Sequence, residues 1–418
     1  MRIYRGWWIV AICFAIQFVA VSASGYVFGV LLQPMEADLG WSRSELVGAI
    51  TVVNVIGGML SAGLGPLVDR YGTRRLMTVS VVVAAGALMS FGFVNALWQY
   101  YLVWICYGLA IPGLRNLGPR VVVANWFVRR RAFALMIVTF GTSLSGIFLV
   151  PVMARVATLW GWQFAWLIMG CAVALLAPLV WIAVRRQPED VGLLPDGDRP
   201  LESAVDSNEP GSQVASAHLL DEPMWTVRQA LHTRTYWLVS VGLMLTSIPG
   251  SSIFVHISPY VVSKGFTLET GATAVGVYGI GALLGRPIWG TVIGFIGVYR
   301  TLIAFALIYG VAVATLLFPD EPNELYTSLF FLGIAIGASN QLNSQVLPDY
   351  YGRHIVGSLT GYFSLISVFS GALAPLYAAV IYDLTHSYVV AFATFSAACF
   401  IAAFMFLLAK RPVPPVTA

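Results

Sequence analysis

The stretch "GPLVDRYGTRR", Gly65–Arg75, separates two long apolar runs with a few residues that carry one acid, three arginines and glycine. A second stretch, "GTVIGFIGVYR", Gly290–Arg300, lines up with it at an offset of 290 − 65 = 225. "NWFVRR", Asn125–Arg130, aligns with "DYYGRH", Asp349–His354, at 349 − 125 = 224, and Pro151 matches Pro375 at the same 224. Copies in the same orientation predict two similar units related by an axis along a membrane normal, a construction found in carriers that rock around a central site.

Composition supports a membrane setting. The chain of 418 residues is 58% hydrophobic and 10% charged, with a mean hydropathy of +0.81, against about 25% charged in an ordinary soluble protein. A crossing takes roughly 20 apolar residues, and twelve such runs can be read: Trp7–Leu32, Ser44–Leu67, Leu76–Val94, Trp98–Val123, Ala132–Ala154 and Gln163–Val184, then Tyr236–Val261, Gly271–Phe295, Thr301–Phe318, Leu325–Val346, Ile355–Ile381 and Tyr388–Leu408. The expected fold is therefore an all-α membrane protein with twelve transmembrane helices in two six-helix bundles, residues 1–184 and 233–418. Residues 185–232, polar and rich in Pro, Asp, Glu, Gly and Ser, read as a cytoplasmic linker, with a short interfacial helix around Trp225–Leu231. The first run is too long for a signal core and is expected to remain as a helix.

Arginines and lysines at Arg2, Arg5, Arg70, Arg74, Arg75, Arg129 to Arg131, Arg185, Arg186, Arg300, Arg353, Lys410 and Arg411 fall on alternate loops, which predicts cytoplasmic termini in the cell (inner) membrane. The opposite loops carry Glu36, Asp38, Asp320, Glu321 and Glu324, with scattered cations such as Arg43 and Lys264. The net charge of +4 thus follows from topology and gives no reason to invoke nucleic acid. Cys13, Cys106, Cys171 and Cys399 each sit in a different apolar run without metal-ligand spacing. With no phosphate-cradling loop and no nucleophile beside a base, no cofactor, metal or enzymatic activity is expected, and the chain is expected to be monomeric.

Several stretches carry a family resemblance. "GPLVDRYGTRR" resembles the signature loop between helices two and three of the major facilitator superfamily. "WFVRRRAFA" entering helix five, "HISPYVVSKGF" ending helix seven and "GRPIWG" in helix eight are similar to its monocarboxylate porter and oxalate/formate antiporter branch. The resemblance implies transport of a small organic anion. It also implies that Asp69, Arg70, Arg74 and Arg75 form gate contacts, although Gly294 stands at the repeat position of Asp69. Positive-inside topology accounts for part of Arg74 and Arg75. In animal relatives an acid one turn before the helix-eight arginine is implicated in proton coupling. The matching position here is Ala282, and Tyr26 stands where those relatives carry a lysine in helix one.

Depth singles out the functional charges independently. Arg286, in "GALLGRPIWG", and Arg115 lie near the middle of a ~30 Å core, with Arg120 shallower. A lipid-facing arginine at that depth costs at least about 2.5 to 3.5 kcal/mol, so these should face protein or water. Their usual partners, Asp and Glu, fall in loops, the linker or span ends, which leaves a cationic surplus able to hold a carboxylate through paired hydrogen bonds. Arg286 is thus the candidate anchor, against a role in snorkelling or in capping carbonyls freed by Pro287. Tyr278 shares its face. In helix four Asn116 and Arg120 share a face, Arg115 points elsewhere, and Asn116 matches Asn340 at 340 − 116 = 224. Asn340 and Gln341, in "SNQLNSQ", either line the cavity or join helices. His256, among Ser251, Ser252 and Tyr260, either titrates at the site or is structural.

Together these features predict a secondary transporter of a mono- or dicarboxylate by alternating access, as antiporter or proton symporter. Its rivals are a carrier of drugs or neutral solutes and a non-transporting nutrient sensor. Its partners are the small organic anion and the lipid bilayer.

Overall fold

A computed structural model describes residues 4–116, 118–127, 130–185, 187–194, 196, 225–351 and 355–412. Within these, the side chains of residues 61–71, 116, 120, 124, 131, 132, 189, 340, 344, 356–358, 361, 364, 365 and 369 lie outside the described set. Most of the expected linker falls outside it too, as do the side chains of Asp69, Arg70, Asn116, Arg120 and Asn340.

The described residues are helical throughout, without a strand. In the first half run α1 (Arg5–Val19), α2 (Tyr26–Leu39), α3 (Arg43–Tyr71), α4 (Thr73–Ser90), α5 (Leu97–Ile111), α6 (Gly118–Trp126), α7 (Arg131–Leu144), α8 (Val150–Trp160), α9 (Trp162–Ala174) and α10 (Leu176–Ala183). After the short α11 (Val227–His232) come α12 (Arg234–Ser263), α13 (Leu268–Ala314), α14 (Pro322–Ile336), α15 (Ser339–Tyr351), α16 (Val356–Thr385) and α17 (Val389–Leu408). Ten helical stretches among the described residues are long and apolar enough to cross a membrane. One of them, Leu268–Leu317, has 50 residues, or about 75 Å of helix, which is more than two crossings of a ~30 Å core. It turns at Gly297, where φ is 77°. The arrangement is consistent with the twelve spans expected from the sequence.

Turn geometry repeats with the sequence. Backbone at positive φ, which glycine adopts without steric cost, occurs at Gly40, Gly72 and Gly161 and again at Gly265, Gly297 and His386. The spacings are 265 − 40, 297 − 72 and 386 − 161, each 225, the offset that aligned the two arginine-bearing stretches. Gly72 and Gly297 share nearly the same conformation, at φ 81°, ψ 152° and φ 77°, ψ 164°.

Helices pack chiefly within their own half: α1 on α7, α4 on α9 and α3 on α5 in the first, α13 on α14 and α17 and α12 on α16 in the second. Aromatic rings fill the first core, where Trp104 meets Phe28, Phe91, Tyr107 and Trp166 edge to face. Large apolar side chains such as Phe93, Leu175, Phe295 and Leu384 lie exposed on the perimeter, as a hydrocarbon solvent requires. Between the halves, α3 packs on α16, α2 on α12, and α7 and α8 on α13.

Candidate functional site

Three first-half helical runs lose α-geometry part-way across. A 3-10 turn at Val21–Ser24 separates α1 from α2, and π-helical turns at Pro112–Asn116 and Ser145–Leu149 separate α5 from α6 and α7 from α8. Such irregularities recur at functional sites, because they free or redirect groups that a continuous helix would consume. The Tyr107 hydroxyl, for example, donates to the carbonyl of Ala20 at the first break. In the second half the chain turns between α14 and α15, immediately before Ser339.

Arg286 projects from α13 toward this interrupted zone. Its Nη2 donates to Ser143 Oγ at 3.1 Å and its Nη1 makes a longer contact of 3.5 Å with Thr139 Oγ1, both on α7 of the opposite half. Its Cζ lies 5.2 Å from the Phe140 ring centroid, within cation–π range. Among the described residues its side chain has no carboxylate partner. The guanidinium reaches across to hydroxyls on α7 and does not cap the turn opened by Pro287.

Glycines make the crossing possible. A Cβ at Gly279 would stand 2.9 Å from the carbonyl oxygen of Ser143, so α13 lies almost backbone to backbone on α7. On its other side α13 meets α14 through Gly281, Gly285, Gly333 and Gly337. Added Cβ atoms at these four would fall 2.2–2.7 Å from the facing backbone. Gln341 Nε2 donates to the backbone carbonyl of Arg286 at 2.9 Å, and Trp289 Nε1 to that of Ile334 at the same distance. Gln341 therefore joins α15 to α13, the interhelical alternative weighed for it above.

Beyond the guanidinium, toward the Leu268 end, stands an aromatic layer. Helical side chains lean toward their own N-terminus, so Arg286 reaches toward Tyr278 on the same face, and it lies within electrostatic range of Tyr278 and Tyr26. The Tyr26 ring packs 3.9 Å from that of Phe254 and 6.2 Å from that of Tyr278. Tyr26 and Tyr278 are buried.

The other sequence candidates are spread more widely. Arg115 sits on the π-turn, within electrostatic range of Tyr107. Arg74 stacks on Trp181 of its own half, its Cζ 4.0 Å from the ring centroid, while Arg75 is exposed. His256 is not beside Arg286. It lies 7 residues from the end of α12, whereas Arg286 lies 18 from the start of α13, a difference in depth of about 17 Å. The imidazole is completely buried, with Nε2 2.9 Å from the Pro375 carbonyl and Nδ1 3.0 Å from the Tyr388 hydroxyl.

Tyr388 leads to a network that sequence reading missed. Arg43, 3% exposed, donates from Nη1 to Tyr388 Oη at 2.9 Å and from Nε and Nη2 to Glu36 Oε2 at 3.1 and 2.6 Å. Its Cζ lies 3.7 Å from the centroid of the Tyr382 ring. The carboxylate of Asp383 receives the backbone N–H of Arg43 at 3.2 Å and that of Ser44 at 2.8 Å. The available signal was weak: Arg43 is one of a few scattered cations on a mainly acidic face.

Helices of membrane-crossing length, in two halves that share a spacing of 225 and meet around a half-buried cation, define a polytopic carrier. The chain matches the family model of the Major Facilitator Superfamily over residues 12–290 and 269–418, and it belongs to that superfamily. It is a transporter and not an enzyme. Monocarboxylate transporter 11 of Homo sapiens is 24% identical, in an alignment covering 98% of this chain and 84% of that protein. The oxalate:formate antiporter of Oxalobacter formigenes is 24% identical, covering 84% and 80%. Among solved structures, the nucleoside transporter NupG superposes with a TM-score of 0.72 at 12% identity, covering 97% of this chain and 100% of that one. At that identity the likeness is one of fold alone.

Proposed function

We propose that the protein is a secondary transporter of a small organic anion, a mono- or dicarboxylate, working by alternating access between halves 1–184 and 233–418. Both termini lie in the cytoplasm, so the 39–43 turn faces outside. The observation that carries this reading is Arg286. It is half-buried near mid-depth and bonded across the interface to neutral hydroxyls of Ser143 and Thr139, with no carboxylate partner among the described residues.

A guanidinium held by hydroxyls keeps its full charge. A carboxylate that displaces them gains two parallel charge-assisted bonds, the geometry that favours arginine over lysine. The Phe140 ring beside the guanidinium and the Tyr26–Phe254–Tyr278 layer toward the Leu268 end are apolar contacts suited to a short carbon skeleton. Relatives whose names specify monocarboxylate and oxalate:formate transport support the same substrate class. Arg115 and Arg120 are candidates for a second carboxylate, Asn116 and Asn340 for polar contacts, and Asp69, Arg70, Arg74 and Arg75 for the cytoplasmic gate.

The test is thermal unfolding of purified protein with lactate, pyruvate, formate, oxalate, succinate, sugars and lipophilic cations. Ligands selective for the native state raise its stability by mass action. A carboxylate should stabilise the wild type and leave Arg286→Gln unchanged. Stabilisation of both proteins by sugars or cations, with carboxylates inert, would overturn the assignment.

A further inference from the structure

We infer that Asp383, Arg43 and Tyr388 form the latch that closes the outer side of the transport path, with His256 behind it passing the hydrogen-bond chain on to the Pro375 carbonyl. The inference rests on the alternating-access reading above but not on the identity of the substrate.

The argument begins with the start of α3. The first N–H groups of a helix have no partner within it. Here Glu45 N donates to Ser42 Oγ at 3.3 Å and Leu46 N to Ser42 O at 3.2 Å, which are local solutions. The remaining two, on Arg43 and Ser44, are met by the two carboxylate oxygens of Asp383, 340 and 339 residues away in the opposite half. Half of the N-terminal cap of α3 is thus supplied across the interface. A carboxylate at that position also meets the positive end of the helix dipole.

The side chain of Arg43 crosses in the other direction. Glu36, from its own half, neutralises it and holds it extended, and its remaining nitrogen donates to Tyr388 Oη. The rest of the chain follows from counting donors. Pro375 O can only accept, so His256 Nε2 carries a hydrogen. Tyr388 Oη accepts from Arg43, and the arrangement that leaves its own hydrogen paired gives that hydrogen to an unprotonated His256 Nδ1. The Asp383 cap, the Arg43–Tyr388 bond and the Arg43–Tyr382 cation–π contact cross between the halves, and these exist only while the two halves are closed on this face. Separation returns Arg43, Asp383 and two backbone N–H groups to water, which can solvate them at the membrane surface but could not in the core.

Latch and substrate site are distinct layers. The buried rings of Tyr26 and Tyr278 lie between Arg286 and the depth of His256. The latch therefore controls access without touching the anion. Under the repeat offset of 225, Leu268 and Thr158 stand where Arg43 and Asp383 would recur, so the outer face carries this arrangement once, without a twin across the repeat axis.

The experiment places spin labels on Asn95, on a loop of the first half, and Asn323, in the first turn of α14, both exposed at this face, in a background without the four cysteines. Distances are read in reconstituted protein without substrate. The parent should give a single short distance. Asp383→Ala should add a longer population, shifting the open-to-closed ratio roughly tenfold or more, as expected for lost hydrogen bonds to a charged group. Tyr388→Phe, which keeps the ring and its packing, should shift it in the same direction by less. Parent-like distributions in both variants would overturn the latch. Should carboxylates fail to stabilise the protein while both variants open it, the substrate assignment falls and the latch stands.

Discussion

At the scale of single residues, two cations in chemically opposite settings divide the work. Arg43 is neutralised by Glu36 and covered by Tyr382, whereas Arg286 faces two hydroxyls and the Phe140 ring, with no carboxylate among the described residues. Arg286→Lys should therefore lose most of the carboxylate-induced thermal shift although the charge is kept, because an ammonium cannot form the paired bonds; a full shift in that variant would mean a point charge suffices. His256 makes a second prediction. The groups around it are Tyr388, and through it Arg43, Tyr382, Glu36 and Asp383. A proton on Nδ1 would leave Tyr388 with two donors directed at its oxygen and no acceptor for its own hydrogen. The closed latch thus leaves an imidazolium unfavourably placed, and an open, hydrated one accommodates it. The sign follows: lowering pH from about 7.5 to about 5.5 should populate the open state, and His256→Gln should flatten that response in the same spin-label measurement. The sequence marked Arg286 because the cost of a charge at mid-depth is a local property. It could not mark Arg43 or Asp383, since charges at span ends are ordinary and these two are brought together only by the fold.

At the scale of helices, the contact between α13 and α14 fixes where Arg286 can be. Gly281, Gly285, Gly333 and Gly337 bring the two backbones together so closely that a methyl group at Gly285 would come within 2.3 Å of the Ile334 carbonyl oxygen. Close approach of this kind is the main source of association between helices in lipid, where there is no hydrophobic gain from packing apolar surfaces together. Gly285→Ala should cost about 1–3 kcal/mol through overpacking and displace Arg286, lowering both the melting temperature and the carboxylate-induced shift. Gly294→Ala, with nothing within 4 Å of the added Cβ, should leave both unchanged or raise stability slightly. Equal losses in the two variants would refute the packing argument. The helices themselves were legible from runs of apolar residues. Their interruptions at Val21–Ser24, Pro112–Asn116 and Ser145–Leu149 were not, because a 3-10 or π turn inside an apolar run leaves hydropathy unchanged and is selected by tertiary partners such as Tyr107 on Ala20.

At the scale of the molecule, the repeat read from "GPLVDRYGTRR" reappears in the backbone as three pairs of positive-φ turns spaced by 225. The two halves are copies in their turns but not in their chemistry. Arg43, Asp383, Tyr388 and His256 have Leu268, Thr158, Gln163 and Leu31 at the corresponding positions. A cycle between mirror-image states would present similar barriers in both directions. Opening the outer face must break a cross-interface cap, a guanidinium–phenol bond and a cation–π contact, contacts that the stroke opening the cytoplasmic face does not have to break. The equilibrium distribution of a passively moving solute cannot depend on this, but the speed of approach to it can. In vesicles of defined orientation, initial influx and efflux under equal and opposite gradients should differ in the wild type and converge in Asp383→Ala: the asymmetry of one face would make the carrier a rectifier.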